Sequence, residues 1–104
     1  MAIKGYSHST AERLMKYVQI DTTADPNSET FPSTMIQKDL GIILLEELKS
    51  LGIDDAEMDE HGYVFGTVKG NIDQEVPTVC FCAHMDTAPD VSGKNVKPIL
   101  HKNY

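Results

Sequence analysis

The sequence predicts an α/β fold, two helices packed on a mixed β-sheet, and three observations carry that prediction. From Ile36 to Leu51 the apolar residues stay in helical phase, for about four turns. From Val76 to Ala83 the chain is almost continuously apolar, first β-branched and then small, as in a strand buried on both faces. Between these runs, two short strand-like stretches flank a turn that contains a glycine.

The elements follow in order. Ser9-Thr10-Ala11-Glu12 opens a first helix, because Ser9 can cap it while Glu12 returns a hydrogen bond to the Ser9 N–H. Ala11, Leu14, Tyr17 and Val18 share one stripe, so this helix is expected from about Thr10 to Gln19. Asp21 to Ser28 has the composition of a loop, with Pro26 biasing Asp25 away from helix. The second helix is expected to start near Thr34, where Gln37 completes another capping box. Ile36, Leu40, Ile43, Leu44, Leu48 and Leu51 form its apolar face, and Gly52 follows where a helix-ending glycine belongs. A face that wide needs a sheet to cover it. Ala56–Asp59 and Tyr63–Lys69 read as strands joined through Glu60-His61-Gly62 in a tight antiparallel hairpin. Gly70 to Asp73 is a second turn, and the buried strand Val76–Ala83 comes last. No internal repeat or low-complexity tract interrupts the order.

The 104 residues suit one domain, spanning 1–104, with enough apolar content for a modest core. The formal charge of -7 has the wrong sign for a phosphate-backbone binder, so no nucleic acid partner is expected. No apolar stretch reaches the length of a membrane span, so no membrane partner is expected either. Most of the negative charge lies between Glu46 and Glu60, where seven acids face a single Lys49. That window reads as a solvated face. Cys80 and Cys82, one residue apart on the expected strand, are too close for an unstrained bridge and oddly spaced for a metal pair. They read as buried reduced thiols, and with no secretory segment behind Met1 the expected compartment is the cytoplasm.

The chemistry concentrates at Ala83-His84-Met85-Asp86-Thr87. A buried strand there delivers a histidine to its carboxyl end, where open α/β sheets bind ligands. Residues two apart on an extended chain can project the same way, so an imidazole could hold a metal while the carboxylate orients it. Zinc wants three or four protein ligands, and the pair supplies part of a site. On spacing alone, a hydrogen-bonded histidine at a strand end explains His84 and Asp86 at least as well.

The wider context adds a resemblance. Cys82-Ala83-His84-Met85-Asp86-Thr87-Ala88-Pro89-Asp90 is similar to the M20 family of co-catalytic zinc metallopeptidases, most closely to its tripeptide aminopeptidase branch. Tyr17 to Thr23, Glu46 to Lys49, Asp59 to Val64 and Ser92 to Pro98 look like the same branch, in order. The resemblance runs from about Ala11 to Tyr104. It implies a partial M20 catalytic domain, zinc-exopeptidase-like and phosphorylase/hydrolase-like in fold, with the chain as its N-terminal part and no second domain. His84 matches the family's first zinc ligand, and Asp86 the catalytic aspartate that orients that imidazole. The implied activity is removal of the N-terminal residue from tripeptides. The implied mechanism uses water held between two zinc ions, deprotonated by a glutamate, to attack the scissile carbonyl. The family's bridging aspartate, its Glu-Glu pair and its remaining ligands have no counterpart in this sequence, so the chain alone is expected to be inactive and to bind zinc poorly. Glu46-Glu47 precedes His84 and is not that pair; it is expected on the side of the second helix away from the apolar stripe.

The remaining candidates take plainer readings. His61 belongs to a turn, and His8 and His101 lie near the ends as bystanders. Asp21-Thr22-Thr23 could approach the site, but capping or turn chemistry explains it equally well. Asp90 carries a minor substrate-side or structural possibility. Met35 and Met58 suggest no cofactor, and Met85 is expected to pack beneath the site. The alternative to an enzyme fragment is a non-catalytic, self-associating α/β interaction domain. Under either view an uncovered sheet edge invites a homodimer.

Overall fold

Helix α2, Gln37–Ser50, organises the fold. Its end forms as the sequence indicates: the Gly52 N–H donates to the Lys49 carbonyl at 3.0 Å and the Ile53 N–H to the Leu48 carbonyl at 3.1 Å. This paired closure turns the chain through Gly52 at φ 86°, a conformation that costs a glycine little. The start differs. Residues 34–36 form a tighter turn, in which Gln37, Lys38 and Asp39 donate to carbonyls three residues back. Ile36 stands at the cap position with no side-chain bond. Thr34 does not cap because its hydroxyl is used elsewhere, donating to the Thr23 carbonyl at 2.7 Å. Gln37 folds its side-chain amide back onto the Ser33 and Thr34 hydroxyls instead.

The computed structural model describes residues 9–103; His8 and the Tyr104 end of the resemblance lie outside them. Helix α1 spans Ser9–Tyr17, so Ser9 is inside the helix and not its cap, and the chain leaves helix two residues earlier than expected. A polar contact fastens α1 to α2. Glu47 accepts from Arg13 Nε at 3.1 Å, from Lys16 Nζ at 2.9 Å and from the Tyr17 hydroxyl. Glu47 therefore faces α1, half-buried, while Glu46 is exposed. Burial and the Glu47 carboxylate push the Tyr17 phenol up to about 12. The hydrogen bond from Tyr17, then the one from Lys16, hold Glu47 below the usual carboxylate range.

Strands β1, Glu57–Met58, and β2, Val64–Phe65, pair antiparallel with Glu57 opposite Phe65 and Met58 opposite Val64. Their turn passes through Gly62 at φ 88°, and Asp59 Oδ1 accepts the His61 and Tyr63 N–H groups. Helix α2 packs on both strands, as its apolar face required. Gly41 lets them close, since a Cβ there would stand 2.9 Å from Met58 Sδ and 3.5 Å from Val64 Cγ2. Among the described residues, Leu40 and Ala56 are the buried apolar side chains. Two helices and an antiparallel pair are compatible with an α/β class. Among the described residues the sheet is not mixed, and parallel pairing is confined to one bridge between Thr23 and Thr87.

The largest correction concerns the last expected strand. Val76–Ala83 forms no strand and is exposed, with Phe81 at 93%. A strand needs a neighbour to take its N–H and C=O groups, and among the described residues none runs beside it. Cys80 and Cys82 are accordingly free and exposed, not buried. Tyr63–Lys69 shortens to β2 for the same reason. With little of the region beyond β2 packed, the radius of gyration is 16.5 Å, against about 13 Å for a compact domain of this length.

Candidate functional site

His84 and Asp86 come together as their spacing allows. The His84 Nδ1 lies 3.0 Å from Asp86 Oδ1 and 2.8 Å from the Asp86 backbone carbonyl. Both partners are acceptors, so Nδ1 carries a hydrogen and donates to them. The imidazole is thereby fixed at Nδ1, and its side chain is 83% exposed. Met85 between them is half-buried. The pair lines a groove of about 1000 Å³, whose walls include Arg13, Tyr17, Leu44 and Phe81.

What holds this segment is the strap after α1, residues 21–24. The Thr87 N–H donates to the Thr22 carbonyl at 3.1 Å, and the Ala24 N–H donates to the Thr87 carbonyl at 2.9 Å. Thr22 is buried, at 2% exposure. Asp21 Oδ1 accepts the Thr23 N–H at 3.1 Å and the Thr23 hydroxyl at 2.6 Å. That hydroxyl accepts in turn from the Gly93 N–H at 3.3 Å. The Thr23 hydroxyl and N–H, with a smaller contribution from Lys94, hold the Asp21 carboxyl below the usual range. Asp21 is thus an ionised acceptor at neutral pH, and it dictates which way the Thr23 proton points. Gly93 belongs here for steric reasons: a Cβ would stand 2.7 Å from Asp21 Oδ1 and 2.8 Å from Thr23 Oγ1.

The strap is what sequence reasoning left undecided. Asp21-Thr22-Thr23 does make the expected Asx-type turn, and it also reaches the His84 segment. The signal lay in two adjacent threonines followed, far along the chain, by a glycine within Ser92-Gly93-Lys94. Asp90 and His101 are exposed, and His61 is exposed in its turn with Nδ1 3.4 Å from the Phe31 carbonyl. Among the described residues, no group of three or more His, Cys, Asp or Glu side chains is placed to hold a metal.

No protein-family model matches this chain. Curated relatives do. The chain is 53% identical over 93 residues to peptidase T of Geobacillus sp. (strain WCH70). It is 55% identical over 95 residues to peptidase T of Alkaliphilus oremlandii and 50% identical over 93 residues to that of Halothermothrix orenii. Each match covers 89% of this chain and 23% of the relative. Across nearly all of its length, the chain is a homologue of peptidase T and spans 23% of the length of these relatives.

Proposed function

We propose that the chain is the N-terminal part of an M20 catalytic domain, in a cytoplasmic, zinc-dependent aminopeptidase that removes the N-terminal residue from tripeptides. The observation that carries this reading is the oriented His84–Asp86 pair in a chain about half identical to peptidase T. The pair fits one part of a metal site. Asp86 occupies the His84 Nδ1 hydrogen, which leaves Nε2 as the ring atom that would face a metal. His84 is the residue that would hold a zinc ion, in a site of two, and Asp86 fixes its tautomer and ring direction. A bound zinc supplies Lewis-acid polarisation of a carbonyl. The described residues complete no site, so the 104-residue chain alone is inactive under this proposal.

The test is release of the N-terminal residue from a tripeptide by the native gene product, with His84→Ala beside it. Turnover by the native protein, lost on chelation and in the variant, is the expected result. Unchanged turnover in His84→Ala overturns the assignment.

The exposed apolar residues Val76, Val79 and Phe81 support a second element, self-association of the chain into a homodimer through that segment. Sedimentation at high concentration is expected to show a dimer, and a compact monomer rules it out.

A further inference from the structure

Residues 87 and 93 close a loop, and both of its ends meet the strap. Thr87 is held by two backbone hydrogen bonds to Thr22 and Ala24. Gly93 is held by one, to a side chain, the hydroxyl of Thr23. Thr23 also sits where the molecule's other segments converge, because its carbonyl accepts the Thr34 hydroxyl ahead of α2. His84 and Asp86 lie directly before this loop, and among the described residues they hydrogen-bond to each other alone.

We infer that the Thr23 hydroxyl is the positioning group for the His84–Asp86 pair, fastening the far end of the 87–93 loop to the strap that ends α1. A hydroxyl suits the task because it donates one hydrogen bond and accepts another. Its proton is committed to Asp21 Oδ1, so a lone pair is turned toward the Gly93 N–H. The absent side chain of Gly93 lets the backbone come close enough to use it. Valine at position 23 keeps the shape of threonine and removes both bonds. Serine keeps both.

This inference rests on the peptidase reading for its kinetic consequence and stands apart from it for its structural one. In the native gene product, Thr23→Val is expected to lower kcat for tripeptide cleavage by about 10- to 100-fold, the usual effect of removing a group that orients a ligand, with KM nearly unchanged. Amide exchange at Gly93 and Thr87 is expected to speed up by about tenfold. Thr23→Ser is expected to restore both. Wild-type kcat and exchange in Thr23→Val, or a Thr23→Ser protein as impaired as Thr23→Val, overturns the inference. Should Thr23→Val fail to fold, Gly93→Ala disturbs the same junction from the other side with Thr23 in place, and the same kinetic and exchange pattern is expected. If the native protein cleaves no tripeptide, the peptidase reading fails by itself, and exchange at Gly93 and Thr87 still decides whether Thr23 holds the loop.

Discussion

The chain up to β2 and the chain beyond it keep their shapes by different means. Before Gly66, α2 lies on the β1–β2 pair and α1 is bound to α2 through Glu47, so side chains set the geometry. After Gly66, apolar side chains such as Val68, Val79 and Phe81 are exposed, and position comes from a few hydrogen bonds, from Thr67 to Asp55 and from the Thr87 and Gly93 region to residues 22–24. The residues with chemical potential, His84 and Asp86, are on the second part. Their placement is therefore borrowed from the first part through the strap, not built by packing around them.

Substitutions divide along that line. Leu40→Ala removes the largest buried apolar side chain of the packed part. It is expected to cost about 2–3 kcal/mol, the lower end for such truncations because the contact is small and can relax. Urea unfolding followed by circular dichroism reads the change. A cost near zero would mean that α2 does not depend on the hairpin.

The α1–α2 contact comes next. Tyr17→Phe is expected to cost about 1 kcal/mol, the ordinary net value of a hydrogen bond. Its pH dependence has a definite sign. Glu47 is held below the usual carboxylate range, so its contribution is present above about pH 4.3 and fades as pH falls through its lower folded value. Tyr17 is pushed up to about 12, so its contribution is present below about pH 10 and is lost as pH rises through 12. Stability measured against pH should weaken at both extremes, and Tyr17→Phe should abolish the alkaline limb. Survival of that limb would assign it to another group.

The smallest effect belongs to the exposed segment. Phe81→Ser in the 104-residue chain is expected to change stability by less than about 0.5 kcal/mol, as exposed positions do. A loss of the size seen for Leu40→Ala would show that Phe81 is packed after all.

The same division explains what could be read from the sequence. Local signals succeeded where the partner is local: Gly52 ends α2, Gly62 turns the hairpin, and Asp86 reaches the His84 Nδ1 two residues away. Signals that need a distant partner fell short. The continuous apolar run Val76–Ala83 describes a strand buried on both faces, and among the described residues nothing pairs with it or covers it. Thr34 was spent on the Thr23 carbonyl instead of a helix cap, a choice invisible at either position alone. The junction of Asp21, Thr23, Thr87 and Gly93 spans most of the chain and leaves no periodic trace.

Under the proposed function, His84 holds a metal while Asp86 holds His84. The most direct measurement is the zinc content of the native gene product and of its His84→Ala variant, by elemental mass spectrometry after extensive dialysis. The account predicts that the variant loses about one zinc ion per chain, and equal zinc in both proteins would contradict it.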